Sequence, residues 1–212
     1  MDTNQLISAL AADVRRPVAS LSSVWWGAAG LAIALAAAVF YATLGPRPDI
    51  AAAAETTRFV FKFVVMITLA ASAFSVARPL SRPGETWRKA LPLLTAAPAL
   101  LAIAVISELV LLPPNTWSAK MVGTNSMTCL AYIPLIGIGP LTIFLMALRH
   151  GAPTSPAIAG AVAGLLAGGI AGTFYAAHCT DDSPLFVATW YTIAIVALAS
   201  VGAVGAYRLA RW

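Results

Sequence analysis

Apolar positions along the chain fall into six long runs, at about 24–44, 59–77, 90–112, 127–147, 156–177 and 186–207, separated by short polar stretches. A helix rising 1.5 Å per residue needs about 20 residues to cross about 30 Å of hydrocarbon, and each run is close to that length. The joints carry helix breakers: Gly45-Pro46 and Pro48, then Arg82-Pro83-Gly84, then Pro113-Pro114, then Pro153 with Pro156. Pro134, Gly137, Gly139 and Pro140 interrupt the fourth run, where a kink is expected rather than a break, because neighbouring helices satisfy the freed backbone groups. The first run exceeds the roughly 7 to 15 residues of a signal-peptide core and is followed by further runs, so it reads as a retained anchor. The expected fold is all-α: a polytopic integral membrane protein with six transmembrane helices over 24–212, preceded by a polar tail at 1–23.

Composition removes the main alternatives. Of 212 residues, 60% are hydrophobic and 10% charged, and mean hydropathy is +0.85. Soluble domains carry about 25% charged residues, which excludes a water-soluble globule and a disordered chain. The net charge of +5 would point to nucleic acid in a polar protein, but here the basic residues sit at the ends of the apolar runs and report orientation. With both termini inside, the inner side collects nine of the thirteen: Arg15, Arg16, Arg78, Arg82, Arg88, Lys89, Arg149, Arg208 and Arg211. The outer side collects three, Arg47, Arg58 and Lys120, and Lys62 falls inside a run. The expectation is N-in and C-in in a bacterial inner membrane, with no direct nucleic-acid contact.

Motifs of catalysis are missing: there is no H-E-x-x-H, no G-x-S-x-G, no Walker A string and no pair of aspartates within two spans. His178-Cys179-Thr180-Asp181-Asp182 holds the residue types of a thiol hydrolase, but neighbours on a helix end point in different directions, so no enzyme is expected. Cys129 and Cys179 lack zinc spacing, yet both fall at the outer face, which is oxidising in a bacterial inner membrane. Two readings stay open for them: a signal-sensing disulfide or a transient soft-metal site with His178, or two small buried apolar residues. No resident cofactor is called for.

Lys62 and Glu108 are the charges within runs, each about four residues from an outer end and so roughly 6 Å deep. They can pair as an intramembrane ion pair, or Lys62 can snorkel to the headgroups while Glu108 is wetted from its loop. Asp49, Asp181 and Asp182 add outer acid. Gly160, Gly164, Gly168 and Gly172, four apart, form a ridge for close helix packing within the bundle or between two copies as a homo-oligomer. In the tail, Asp2 or Thr3 can cap a short helix with Leu6, Ile7, Leu10 and Val14 on one stripe, followed by Arg15 and Arg16 and ending at Pro17. That stripe suits a groove on a partner protein or the lipid surface. Arg82, Arg88 and Lys89 extend the inner contact surface.

Nearly the whole chain resembles the NrsF-type membrane anti-sigma proteins, negative regulators of an extracytoplasmic-function sigma factor. The resemblance is carried by GPRPDIAAA, RFVFKF, RHGAPTSPAIAGAVAGLLAG, HCTDDSPLFVATWYT and the terminal RLARW, of which HCTDDSPLF is the most specific. It implies a six-span protein that holds a sigma factor inactive at the inner face and releases it under metal or oxidative stress. It also makes Cys129 and Cys179 the candidates for signal detection. The rival from another class is a small-solute or ion transporter with Lys62, Glu108 and the glycine ridge along its path. A structural partner subunit is a third.

Overall fold

A computed structural model describes residues 20–82 and 87–209, together with Asp2, Thr3, Gln5 and Ile7. Among the described residues there is helix and no strand. Six helices are long and apolar enough to cross a membrane. They are α1 (Leu21–Thr43), α2 (Thr57–Leu80), the segment Trp87–Leu111 that ends in α3 (Ala96–Leu111), α4 (Ser126–Arg149), α5 (Pro156–Ala176) and α6 (Pro184–Leu209). Two 3-10 turns, Trp87–Lys89 and Leu91–Thr95, lead into α3, and a π turn at Val187–Tyr191 lies near the start of α6. The prolines of the fourth run do not break it: α4 continues through both Pro134 and Pro140.

Side-chain caps set two of the starts. The Ser20 hydroxyl accepts from the Ser23 N–H at 3.1 Å, and the Thr56 hydroxyl accepts from the Phe59 N–H at 3.4 Å, each satisfying an amide that the first helical turn leaves without a partner. In the tail, Thr3, Gln5 and Ile7 are helical and the Gln5 N–H donates to the Asp2 carbonyl at 3.0 Å. Leu6, Leu10, Val14, Arg15 and Arg16 lie outside the described residues.

Contacts at the connections show that the helices alternate in direction. At one end, the Trp25 indole donates to the Ser81 hydroxyl at 3.0 Å and the Ala152 N–H donates to the Ser81 carbonyl at 3.1 Å, joining the start of α1, the end of α2 and the α4–α5 connection. At the other end, the Arg47 N–H donates to the Ala177 carbonyl at 3.0 Å, joining the α1–α2 connection to the end of α5.

Helix α5 is the centre of the bundle, packed between α2, α4 and α6. Its small residues allow this. A Cβ on Gly160 would run into the Gly202 carbonyl, one on Gly164 would meet the backbone of Ala199, and one on Gly168 would lie 2.8 Å from Ile195 Cγ2. These three glycines face α6 at backbone distance. A Cβ on Gly172, next on the same row, would instead lie 2.6 Å from the Met66 sulfur of α2. Helix α3 is peripheral, with only Ala97 and Glu108 buried along it.

Candidate functional site

The end of the bundle that receives the α1–α2 connection also holds both cysteines. Cys129 lies in the first turn of α4 and Cys179 just past the end of α5. Both are free thiols with no exposed surface. They are within electrostatic reach of each other and of the Tyr175 and Tyr191 hydroxyls. Tyr175 precedes Cys179 by one helical turn, and the Cys179 N–H closes that turn on the Tyr175 carbonyl at 3.0 Å. The buried Tyr191 hydroxyl lies beside the Cys179 thiol with no well-aligned partner. Burial pushes the Cys179 thiol above its ordinary range, and Lys62 offsets only part of that rise, so the protonated form is favoured while the cluster is closed.

The segment 177–185 is fastened on three sides by charges that complement helix ends. Where α5 finishes, its carbonyls carry the negative end of the helix dipole. The Lys62 ammonium, 1% exposed, donates to the Cys179 carbonyl at 2.9 Å and pairs with Asp182 at 2.5 Å. Arg47 donates to the same carbonyl at 3.4 Å and bridges Asp182 at 3.1 Å and Asp49 at 2.6 Å. Both cations also lie over the Phe59 ring, at 5.3 and 5.8 Å from its centre. The hydrogen bond with Asp49 and the pairing with Asp182 hold Arg47 charged against its partial burial.

At the start of α4 the polarity is reversed. Asp181 Oδ2 accepts the Thr124 and Asn125 N–H groups at 2.9 and 2.8 Å and the Asn125 side chain at 2.9 Å, capping a helix from another segment. Burial pushes the Asp181 carboxyl up, but these hydrogen bonds together outweigh it and hold the group below its usual range. Gly123 permits the approach: its φ is +58°, and a Cβ there would lie 2.5 Å from the Phe186 ring and 2.8 Å from Asp181. The third fastening is Glu108, whose Oε2 accepts the Ser183 hydroxyl at 2.7 Å and the Leu185 N–H at 3.1 Å, so it caps the start of α6.

Lys62 and Glu108 therefore do not form the ion pair that their equal depth allowed. Lys62 is taken by Asp182 and the α5 terminus, and Glu108 by α6 and by Arg58 at 3.4 Å. Each therefore serves a different helix end. His178 Nδ1 lies 3.0 Å from the Gly45 carbonyl, which ties the ring to the α1–α2 connection. Among the described residues no group of three or more His, Cys, Asp or Glu converges as a metal site. The path of a transporter is also occupied: α6 fills the glycine ridge at Gly160, Gly164 and Gly168.

Arg47, Asp181, Asp182, Tyr175 and Tyr191 complete the site beyond what spacing indicated. The signal for the aspartates was their position just past the end of the fifth apolar run. At the opposite end of the bundle Arg82, Arg88 and Lys89 are exposed.

No solved structure matches the chain. It is 32% identical to the anti-sigma-F factor NrsF of Caulobacter vibrioides (strain NA1000 / CB15N) over 218 residues, covering 100% of both chains. It is 31% identical to the probable anti-sigma-F factor NrsF of Azospira oryzae (strain ATCC BAA-33 / DSM 13638 / PS) over 223 residues, again covering 100% of both. The model of the family described as "Negative regulator of sigma F" matches residues 10–212, so the chain belongs to the NrsF family.

Proposed function

We propose that the protein is an inner-membrane anti-sigma factor with both termini in the cytoplasm. It sequesters an extracytoplasmic-function sigma factor at its inner face and releases it when a stress signal acts on Cys129 and Cys179 near the outer face. Family membership makes the chain a regulator rather than a catalyst and its partner a sigma factor. The membrane placement is supported by apolar residues on the outside of the helices, such as Ile103 at 66% and Val110 at 79% exposure, which would be costly in water as a continuous belt.

The observation that carries the sensing role is the convergence of the two thiols, fifty residues apart in sequence, in one buried layer at the end opposite Arg82, Arg88 and Lys89. Oxidation to a disulfide gives two electrons and two protons to an oxidant, and binding of a soft cation displaces both thiol protons. Either event needs the cluster to open, since both sulfurs are covered. Opening pulls on the Cys179 carbonyl and hence on Lys62, Arg47 and the α5 terminus. Helix α5 then carries the change along its length, as the element most surrounded by neighbours. A shift from 1:99 to 99:1 between holding and releasing states needs about 5.5 kcal/mol of differential stabilisation.

The test is capture of the sigma factor on membranes before and after metal or oxidative stress. The wild-type chain is expected to release it. A variant with Cys129→Ser and Cys179→Ser retains it under stress, and deletion of residues 2–16 weakens capture without stress. Unchanged release from the double serine variant would remove the sensing role, and unchanged capture by the truncated chain would remove the tail from the interface.

A further inference from the structure

Two cavities lie along one seam between α2 and α3, with α6 as the floor. The one nearer the cysteine end, about 260 Å³, is lined by Arg58, Phe61, Ala104 and Glu108. The one further along, about 240 Å³ and almost wholly apolar, is lined by Val65 and Leu101 among others, with Ile195 from α6 beneath. Arg58, Phe61 and Val65 recur every three or four residues on α2, and so do Glu108, Ala104 and Leu101 on α3, so each set lies on one helix face and the two cavities are successive stretches of one groove. One mouth is charged and the remainder is apolar.

The charged mouth is incompletely satisfied. The Glu108 side chain is 2% exposed, and its Oε2 is fully used by Ser183 and Leu185. Its Oε1 is buried with no hydrogen-bond donor, and the nearest charge is the Arg58 guanidinium at 3.4 Å, which is itself 48% exposed. A buried carboxylate oxygen without a donor is costly, and a ligand that brings one is favoured.

We propose that this groove holds a phospholipid with a primary-ammonium headgroup, its ammonium donating to Glu108 Oε1, its phosphate on Arg58 and one acyl chain along the apolar cavity. The assignment rests on the bilayer placement proposed above. Charge complementarity selects the headgroup. A primary ammonium offers three donors to the carboxylate and a phosphate to the guanidinium. A choline headgroup offers no N–H, and a glycerol headgroup brings no cation to offset its phosphate beside Glu108.

The test is lipid retention by the purified full chain, loaded from an equimolar mixture of phosphatidylethanolamine, phosphatidylglycerol and phosphatidylcholine with matched acyl chains and read by native mass spectrometry. Phosphatidylethanolamine is expected to be retained about tenfold over phosphatidylcholine, the scale of one charge-assisted hydrogen bond. Glu108→Gln, which keeps an acceptor for Ser183 and Leu185, brings the two within about twofold. Leu101→Trp, which fills the apolar cavity, lowers retention of all three lipids. Equal retention of the three by the wild-type chain overturns the proposal, as does a preference that survives Glu108→Gln. Displacement of the lipid by an equal concentration of free phosphoethanolamine also overturns it, by assigning the mouth to a soluble molecule. Alkaline extraction of native membranes is run alongside: release of the protein there counts against the bilayer placement, whereas the retention assay reports on the groove.

Discussion

At the residue scale, the cysteine end is a set of reciprocal helix caps: cations on the carbonyls where α5 ends, carboxylates on the amides where α4 and α6 begin. Sequence made the buried charges visible, because Lys62 and Glu108 stand out in apolar runs, but it gave only their depth. Which partner each meets depends on the rotation of its helix, and spacing within one helix does not contain that. Capping rules are likewise local, whereas Asp181 caps a helix that starts 55 residues earlier in the chain, so its role could be read only once the chain was folded. Its contribution has a definite pH dependence. The Asp181 carboxyl is lowered in the folded state, so its stabilisation is present above the unfolded value of about 3.9 and is lost as pH falls through the folded value. Asp181→Ala is expected to cost about 1 kcal/mol at neutral pH, as the loss of an N-terminal cap does. Thermal unfolding in detergent across pH should show the gap between variant and wild type closing as pH drops below about 3.9. A gap that is constant with pH would assign the loss to packing.

Among the elements, the six helices were legible because a run of about 20 apolar residues has few other uses. The N-terminal caps at Ser20 and Thr56 extend α1 and α2 a few residues beyond the apolar runs, since hydropathy marks the hydrocarbon-like part of a helix and capping marks its hydrogen-bonded end. The glycine ridge was legible as a close-packing surface, but its register was not: Gly160, Gly164 and Gly168 oppose α6, while Gly172 opposes Met66. The cause is that α5 passes between two neighbours and its row of small residues drifts around the helix from one to the other. The α5–α6 contact is expected to be sensitive to single methyl groups. Gly164→Ala puts a Cβ 2.7 Å from the Ala199 nitrogen, against backbone that cannot rotate away, whereas Gly30→Ala in α1 meets nothing within 4 Å. Overpacking of this kind costs about 1 to 3 kcal/mol. Unfolding in detergent should therefore separate the two variants, with Gly164→Ala less stable than wild type and Gly30→Ala at or above it through its better helix propensity. Equal stability would mean that α5 and α6 are free to move apart at this point.

For the whole molecule, the decisive quantity is which end faces which compartment. Alternation of the helices places Trp25, Ser81 and Ala152 at one end and Arg47, Ala177 and Asp181 at the other, independently of any membrane. The charge count then supplies a direction. Among the described residues, Arg78, Arg82, Arg88, Lys89, Arg149 and Arg208 fall at the first end and Arg47, Arg58 and Lys120 at the second, where Lys62 is also buried within α2. Of those three, Arg47 is committed to Asp49 and Asp182, and Arg58 faces Glu108, so the second end carries its cations largely neutralised. Orientation by basic residues favours keeping the first end in the cytoplasm. Alkaline phosphatase inserted between Ile50 and Glu55 is therefore expected to be active, and the same enzyme placed after Ser81 or fused after Arg208 is expected to be silent. The opposite pattern would put Cys129 and Cys179 in the cytoplasm, where thiols are kept reduced. It would also put the tail across the membrane from any sigma factor. A buried thiol pair is useful as an oxidation sensor only where oxidants reach it, and a tail can hold a sigma factor only on the side where transcription occurs. The two demands require opposite faces, and the cysteine layer and the exposed Arg82, Arg88 and Lys89 lie at opposite ends of α5, which is the separation the proposed function needs.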